Sequence, residues 1–178
     1  MVYLSKIKRV GVCIMANVTK SRGDFLTNWA WFKDTVGGQN LVLCHTSALE
    51  CLQFFNGYLN EKTIDVYSVS KGEYDNINYR VLNNFENLDV VNVDGVLCTS
   101  LNQTINDMLK DFENTDEQAL SEALSKYFHS QGESFRGLNI SSENLGFFNH
   151  IKDWAIDYYS EGLNKRDIAR KTYVLNIG

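Results

Sequence analysis

The chain contains no proline among its 178 residues, against an average usage of about 5%. No proline-rich linker is therefore present, and no other low-complexity stretch divides the chain. Together with abundant Asn, the missing proline is the composition of an AT-rich genome such as that of a mobile element. Long hydrophobic runs are also absent. None approaches the ~20 residues that span a bilayer. The N-terminal run Val10–Met15 is short, lacks a small-residue cleavage site after it and reads as a strand, not a leader. The four cysteines, Cys13, Cys44, Cys51 and Cys98, form no Cys-x-x-Cys pair and each lies in an apolar stretch. They read as buried thiols of a cytoplasmic protein.

What is present suits one globular domain with a small appendage: 44% hydrophobic and 22% charged residues exclude a disordered chain. The net charge of −5 is unevenly spread. Residues 1–40 carry six Lys/Arg against two acids, net +4, and residues 161–178 are net +2, which leaves −11 on the rest. A basic end on an acidic body suits a polyanion or an acidic protein surface, and equally an ordinary mixed surface.

The patterning predicts an α+β fold, a mixed β-sheet with three to four packed helices, strands mostly first and helices mostly last. Residues 7–16 read as a strand, and Phe25–Phe32 as a short helix carrying Trp29 and Trp31 or, preferably, as the returning strand of a basic hairpin whose tip carries Lys20 and Arg22, so that 1–40 form an N-terminal appendage. Gly37-Gly38 precedes the main module, 41–178, with its short basic C-terminal tail. There, Leu41–His45 reads as a strand, and Ser47–Phe55 as a helix capped by Ser47 with Glu50 three residues on. Thr63–Ser70, Asn76–Leu82, Leu88–Val93 and Val96–Thr99 read as further strands, with Asp94-Gly95 a turn. Ser100 and Gln103 make a capping box for a helix over Leu101–Phe112. Asp116 caps the next, apolar at Ala119, Leu120, Ala123, Leu124, Tyr127 and Phe128. Ser141 or Ser142 caps a last one through Leu145, Phe148, Ile151, Trp154, Ala155 and Tyr158.

The two strand-to-capped-helix units, at Leu41–Glu50 and Val96–Asp107, resemble the C-terminal module of the AbiEi-type antitoxins over about Leu41 to Tyr159. Ser47-Ala48-Leu49 stands at the family's helix opening, and Ser68-Val69-Ser70-Lys71-Gly72 at its strand followed by Lys-Gly. Asp94-Gly95, Thr99-Ser100, Thr104 and Asp107 match its later motif. Two departures matter. Gln103 occupies the place of a common Arg, and a neutral amide does not replace that charge. Residues 1–40 are also too short, and lack the periodicity, for the family's DNA-binding winged helix-turn-helix, so a DNA-binding autoregulator is not expected. A stand-alone module of this kind with a new N-terminal appendage also resembles a small group of anti-CRISPR proteins from Gram-positive mobile elements. One type of these acts on the guide RNA of Cas9 through an N-terminal hairpin.

That resemblance implies an inhibitor of Cas9 that binds or truncates its guide RNA. Its partner is the Cas9–guide RNA complex or a similar nucleoprotein, with no cofactor and no membrane. Lys6, Lys8, Arg9, Lys20 and Arg22 would meet phosphates, and Trp29 and Trp31, with Phe32, would stack unpaired bases. Packing of the Trp residues on the core is the competing reading. A ribonuclease dependent on the partner stays open. Metal-dependent cleavage would draw on Asp65, Lys71, Glu73 and Asp94, whose spacing is not that of restriction-type nucleases. Metal-free cleavage would draw on His45, His129 or His150. Cys44, His45 and Cys51 have poor ligand spacing and no fourth partner, so no metal site is expected. Ser47, Ser100, Gln103 and Asp107 read as caps and first-turn groups. The acids Asp111, Glu113, Asp116, Glu117 and Glu122 read as a solvated helix face, or as a mimic of nucleic acid for a basic groove. The alternative function is antitoxin-like neutralisation of a nucleotidyltransferase toxin, without DNA binding.

Overall fold

The computed structural model describes Lys33, Val36 and residues 40–57, 63–74 and 76–158. The predicted hairpin strands and the C-terminal tail lie outside the described residues. Within them the fold is α+β. The elements in chain order are β1 (Val42–Leu43), α1 (His45–Cys51), β2 (Ile64–Ser68), β3 (Ile77–Val81), β4 (Val90–Val93), β5 (Val96–Thr99), α2 (Leu101–Lys110), α3 (Glu117–Ser130) and α4 (Leu145–Tyr158), with single 3-10 turns at Phe112–Asn114 and Ser142–Asn144. The five strands form one sheet in the order β3-β2-β1-β5-β4. β1 runs parallel to β5 and antiparallel to β2, β2 is parallel to β3, and β4–β5 is an antiparallel hairpin.

Strand alternation divides the sheet into two unlike faces. On the first, Leu43, Ile64, Val66, Ile77, Val96 and Cys98 pack against Ala48 and Cys51 of α1, and Val36 joins them. α1 also reaches the other way. Leu49 enters a second cluster with Ile105, Met108 and Leu109 of α2, Leu120 and Leu124 of α3, and Phe148 and Ile151 of α4. α1 therefore packs on the first face and joins the sheet to the other three helices. On the second face Val42, Cys44 and Tyr67 meet Leu82, Phe85, Leu88, Val90 and Leu97.

Local chemistry accounts for the junctions. Asp94 (φ 49°) and Gly95 (φ 90°) both adopt left-handed backbone between β4 and β5, the requirement of a two-residue type I′ hairpin. Asn92 Oδ1 accepts the Gly95 N–H at 2.8 Å. At the start of α2, Ser100 Oγ accepts the Gln103 N–H at 3.2 Å, as expected of the cap. The reciprocal half of the box does not form. Gln103 Nε2 donates instead to Asp107 Oδ1 at 2.7 Å, and the Ser100 N–H is taken by the Asp89 carbonyl. Asp116 caps α3 as predicted, accepting the Ala119 N–H at 2.9 Å.

Three expectations are corrected. α1 begins at His45, with Cys44 in the cap position and no side-chain cap bond, and it ends at Cys51 rather than Phe55. Ser47 is inside the helix, and its Oγ accepts the Asp65 N–H of β2 at 2.9 Å. Satisfying a part-buried strand donor outweighs capping an end already held by buried neighbours. α4 is preceded by a 3-10 turn whose cap residue, Ser141, makes no side-chain cap bond. Finally, Glu122 is not on a solvated face. It is 5% exposed, pairs with Lys126 Nζ at 2.5 Å and accepts the Asn56 N–H at 3.0 Å.

Candidate functional site

The second face of the sheet carries the chemistry. Register places Asp65 beside Asn78 and Tyr67 beside Arg80 on neighbouring parallel strands, and alternation turns all four to the same side. α2 meets them with two acids one turn apart. Asp107 Oδ2 accepts the Tyr67 hydroxyl at 2.9 Å, and Asp111 Oδ2 pairs with Arg80 Nη1 at 3.0 Å. Asn78 Nδ2 donates to Asp65 Oδ1 at 3.2 Å. His45, the first residue of α1, closes the cluster with its ring edge-on to Tyr67 at 5.9 Å between centroids. Its backbone is left-handed, φ 47°, which strains a residue with a Cβ. Its Nδ1 is buried with no hydrogen-bond partner, and so is Arg80 Nε.

Burial governs the titration of this cluster. It lowers His45 to about 4, helped by the adjacent Arg80 cation, so the ring is neutral at physiological pH. It raises Asp65, which its bond from Asn78 pulls back. It raises Asp107 against the opposing bonds from Tyr67 and Gln103. It also pushes the Tyr67 phenol up, with the Asp107 charge adding to the effect. Asp111 is held below the carboxylate range by its bond from Asn114 and by Arg80. The Cys44 thiol is raised by burial and is no nucleophile at neutral pH.

At the edge of the sheet the face opens into a groove of about 430 Å³ lined by Lys71, Gly72, Glu73, Tyr74, Ile77, Asn78, Tyr79 and Arg80. Arg80 thus belongs to both features. The groove is half open to solvent, and its lining carries two cations, Lys71 and Arg80, one acid, Glu73, and the exposed ring of Tyr74.

The sequence-predicted residues are distributed as follows. Lys6, Lys8, Arg9, Lys20, Arg22, Trp29 and Trp31 lie outside the described residues. Asp65 is in β2 and Lys71 and Glu73 follow it, but Asp94 sits on the β4–β5 turn at the opposite edge of the sheet, so those four do not assemble. The three histidines also stay apart. His129 is on α3, 3.3 Å from the Ile156 carbonyl, and His150 on α4 lies edge-on to Phe112. Cys51 faces the first side of the sheet and Cys44 the second. Among the described residues no three His, Cys, Asp or Glu side chains gather to hold a metal ion. Ser100 serves as a cap, whereas Gln103 and Asp107 carry the link to Tyr67. Tyr67, Tyr74 and Arg80 were not singled out from sequence. For Tyr67 and Arg80 the signal is the alternation of Ile64-Asp65-Val66-Tyr67 and Ile77-Asn78-Tyr79-Arg80, which sets a polar face opposite an apolar one, whereas Tyr74, in the β2–β3 connection, carries no such signal.

Compared with known proteins, the chain matches no family model and no curated protein. Among the described residues no helix is long and apolar enough to cross a membrane.

Proposed function

We propose that this chain is a cytoplasmic counter-defence protein of a mobile element that inactivates Cas9 through its guide RNA, on a scaffold like the C-terminal module of the AbiEi-type antitoxins. The observation that carries the reading is the pairing of the two strand-to-helix units. β1 and β5 are parallel neighbours, Leu43 opposite Cys98, so α1 and α2 both open at the same end of the sheet. Ser47, Thr99, Ser100, Thr104 and Asp107 stand at that end, whereas Asp94-Gly95 and Ser68–Gly72 lie at the other. Thr99 Oγ1 lies 2.7 Å from Thr104 Oγ1, Thr104 Oγ1 donates to the Ser100 carbonyl at 2.7 Å, and Asp107 carries the bond to Tyr67. The basic N-terminal segment supplies the polyanion-facing part of the proposal, with Lys20 and Arg22 on phosphate and Trp29 and Trp31 on unpaired bases.

The test incubates the protein with Cas9 and end-labelled guide RNA, resolves the RNA on a denaturing gel and assays target cleavage in parallel. Lost target cleavage is the expected result. A shortened guide then identifies a partner-dependent ribonuclease and an intact guide a binding inhibitor, while full target cleavage refutes the proposal. The second reading, antitoxin-like neutralisation of a nucleotidyltransferase toxin, is favoured by α4. Its Phe147 and Trp154 side chains are about half exposed, and exposed aromatics are enriched at protein interfaces. Rescue of cells from a co-expressed cognate toxin would support it.

A further inference from the structure

β3 is the edge strand of the sheet among the described residues. The segment that returns from β2 to β3, residues 69–76, is short for a parallel connection, and its described residues, 69–74 and 76, form no helix. It is held close to the sheet at Gly72, where a Cβ would collide with the Tyr79 phenol. The groove beside it is lined by Lys71, Glu73 and Tyr74 of this connection and by Asn78 and Arg80 of β3.

Three features of that groove point to one ligand chemistry. The Tyr74 side chain is 62% exposed, so its ring contributes little to the core and leaves a free π-face. Lys71 is exposed and Arg80 part-exposed at the same cleft. Asp111 engages the Arg80 guanidinium at Nη1 and Nε is buried, but the side chain is 33% exposed, which leaves its other Nη donors. A guanidinium has five N–H donors in a fixed fork suited to phosphate, so a single neutralising acid leaves it capacity for an anion. Aromatic faces beside cations are the recurring platform for unpaired bases and their phosphates.

We propose that this edge groove holds one nucleotide of single-stranded RNA, with the phosphate between Lys71 and Arg80 and the base stacked on Tyr74. The inference rests on the RNA reading above and assigns it a contact point separate from the N-terminal segment. Glu73, the acid among the lining residues, accepts the ribose 2′-hydroxyl, a group that DNA lacks.

The experiment is fluorescence anisotropy with a fluorescein-labelled oligouridylate 12-mer and the full chain, without Cas9. Lys71 and Tyr74 are exposed, so Lys71→Gln and Tyr74→Ala should melt as the parent chain does. Tyr74→Ala should weaken binding by about 5- to 150-fold, the range for loss of one stacked base. Lys71→Gln should lower the slope of log affinity against log salt by about 0.7, one single-strand phosphate contact. A deoxyribo 12-mer of the same length should bind more weakly. Unchanged affinity and slope in both variants, or no binding by the parent chain, would overturn the groove, and equal affinity for the deoxy oligomer would overturn its assignment to RNA. Binding that depends on Lys71 and Tyr74 in a chain that leaves Cas9 active upholds the groove and removes the counter-defence reading. Inhibition of Cas9 with oligomer binding indifferent to both variants does the reverse.

Discussion

Replacing His45 by Asn should flatten the dependence of stability on pH. The imidazole is 5% exposed, and burial with the neighbouring Arg80 cation lowers its pKa from 6.5 to about 4. The unfolded chain therefore accepts a proton that the folded chain refuses. The contribution to stability is fully present above pH 6.5 and is lost as pH falls toward 4. At 1.36 kcal/mol per pKa unit the full loss is about 3 kcal/mol, and about 2.5 kcal/mol of it falls by pH 4.5. Asp65 and Asp107 act in the opposite sense. Both are raised by burial, so protonation below their folded pKa relieves a charged, desolvated state. The comparison must accordingly be a difference between parent and variant. Asn is chosen because it tolerates left-handed backbone, which position 45 requires at φ 47°. Its constant loss of packing against Tyr67 shifts the curve without tilting it. Urea titrations followed by far-UV circular dichroism at pH 7.5, 6.5, 5.5 and 4.5 give the free energies. The advantage of the parent chain should shrink by about 2.5 kcal/mol across that range. Parallel curves would refute the argument that the neutral ring is sealed in the fold.

Two further substitutions examine the interior. Ser47→Ala removes the acceptor of the Asp65 N–H. Leaving a buried donor unsatisfied costs about 1–3 kcal/mol, whereas loss of a dispensable hydroxyl would leave the urea midpoint unmoved. Lys126→Met strands the Glu122 carboxylate in the interior, with the Asn56 N–H still bonded to it. Breaking a buried pair on one side typically costs about 3–5 kcal/mol. Adding Glu122→Gln, which keeps an acceptor for Asn56 without the charge, should restore a large part of that in thermal melts, and a double variant no more stable than the single one would contradict the charge argument.

The elements that were legible in the sequence are those set by contiguous residues. Asp94-Gly95 marks its own hairpin, because only a few residue types accept two successive left-handed conformations. Ser100 and Asp116 cap their helices because the acceptor and the N–H it meets lie three residues apart. The beginning of α1 was not legible, for the reason that decides it is 18 residues away. Ser47 has the right chemistry for a cap, but the strand donor of Asp65 competes for its oxygen. The same holds for Glu122, whose surroundings include the loop at Asn56, 66 positions earlier. Of the candidate site, Asp107 and Gln103 were visible as helix residues. Their link to Tyr67 depends on how α2 lies over β2, and the partnership of Arg80 with Asp111 depends on the register of β2 with β3. Neither is written in local spacing.

Energetics give a reason to place function on the second face of the sheet. The first face needs no explanation beyond burial: its side chains are apolar, and α1, seven residues long and without a side-chain cap, holds its shape because its inward positions are inaccessible and not because of propensity. The second face retains features that oppose stability. These are the two carboxylates raised by burial, a histidine in left-handed backbone, and two buried nitrogen atoms without acceptors, His45 Nδ1 and Arg80 Nε. Apolar side chains of similar volume would remove the desolvation penalties, and glycine would remove the backbone strain at position 45. Strain and perturbed ionisation gathered at one place are the physical marks of a site kept for what it contacts. Here they gather around Arg80, the residue that the buried cluster shares with the open groove at β3.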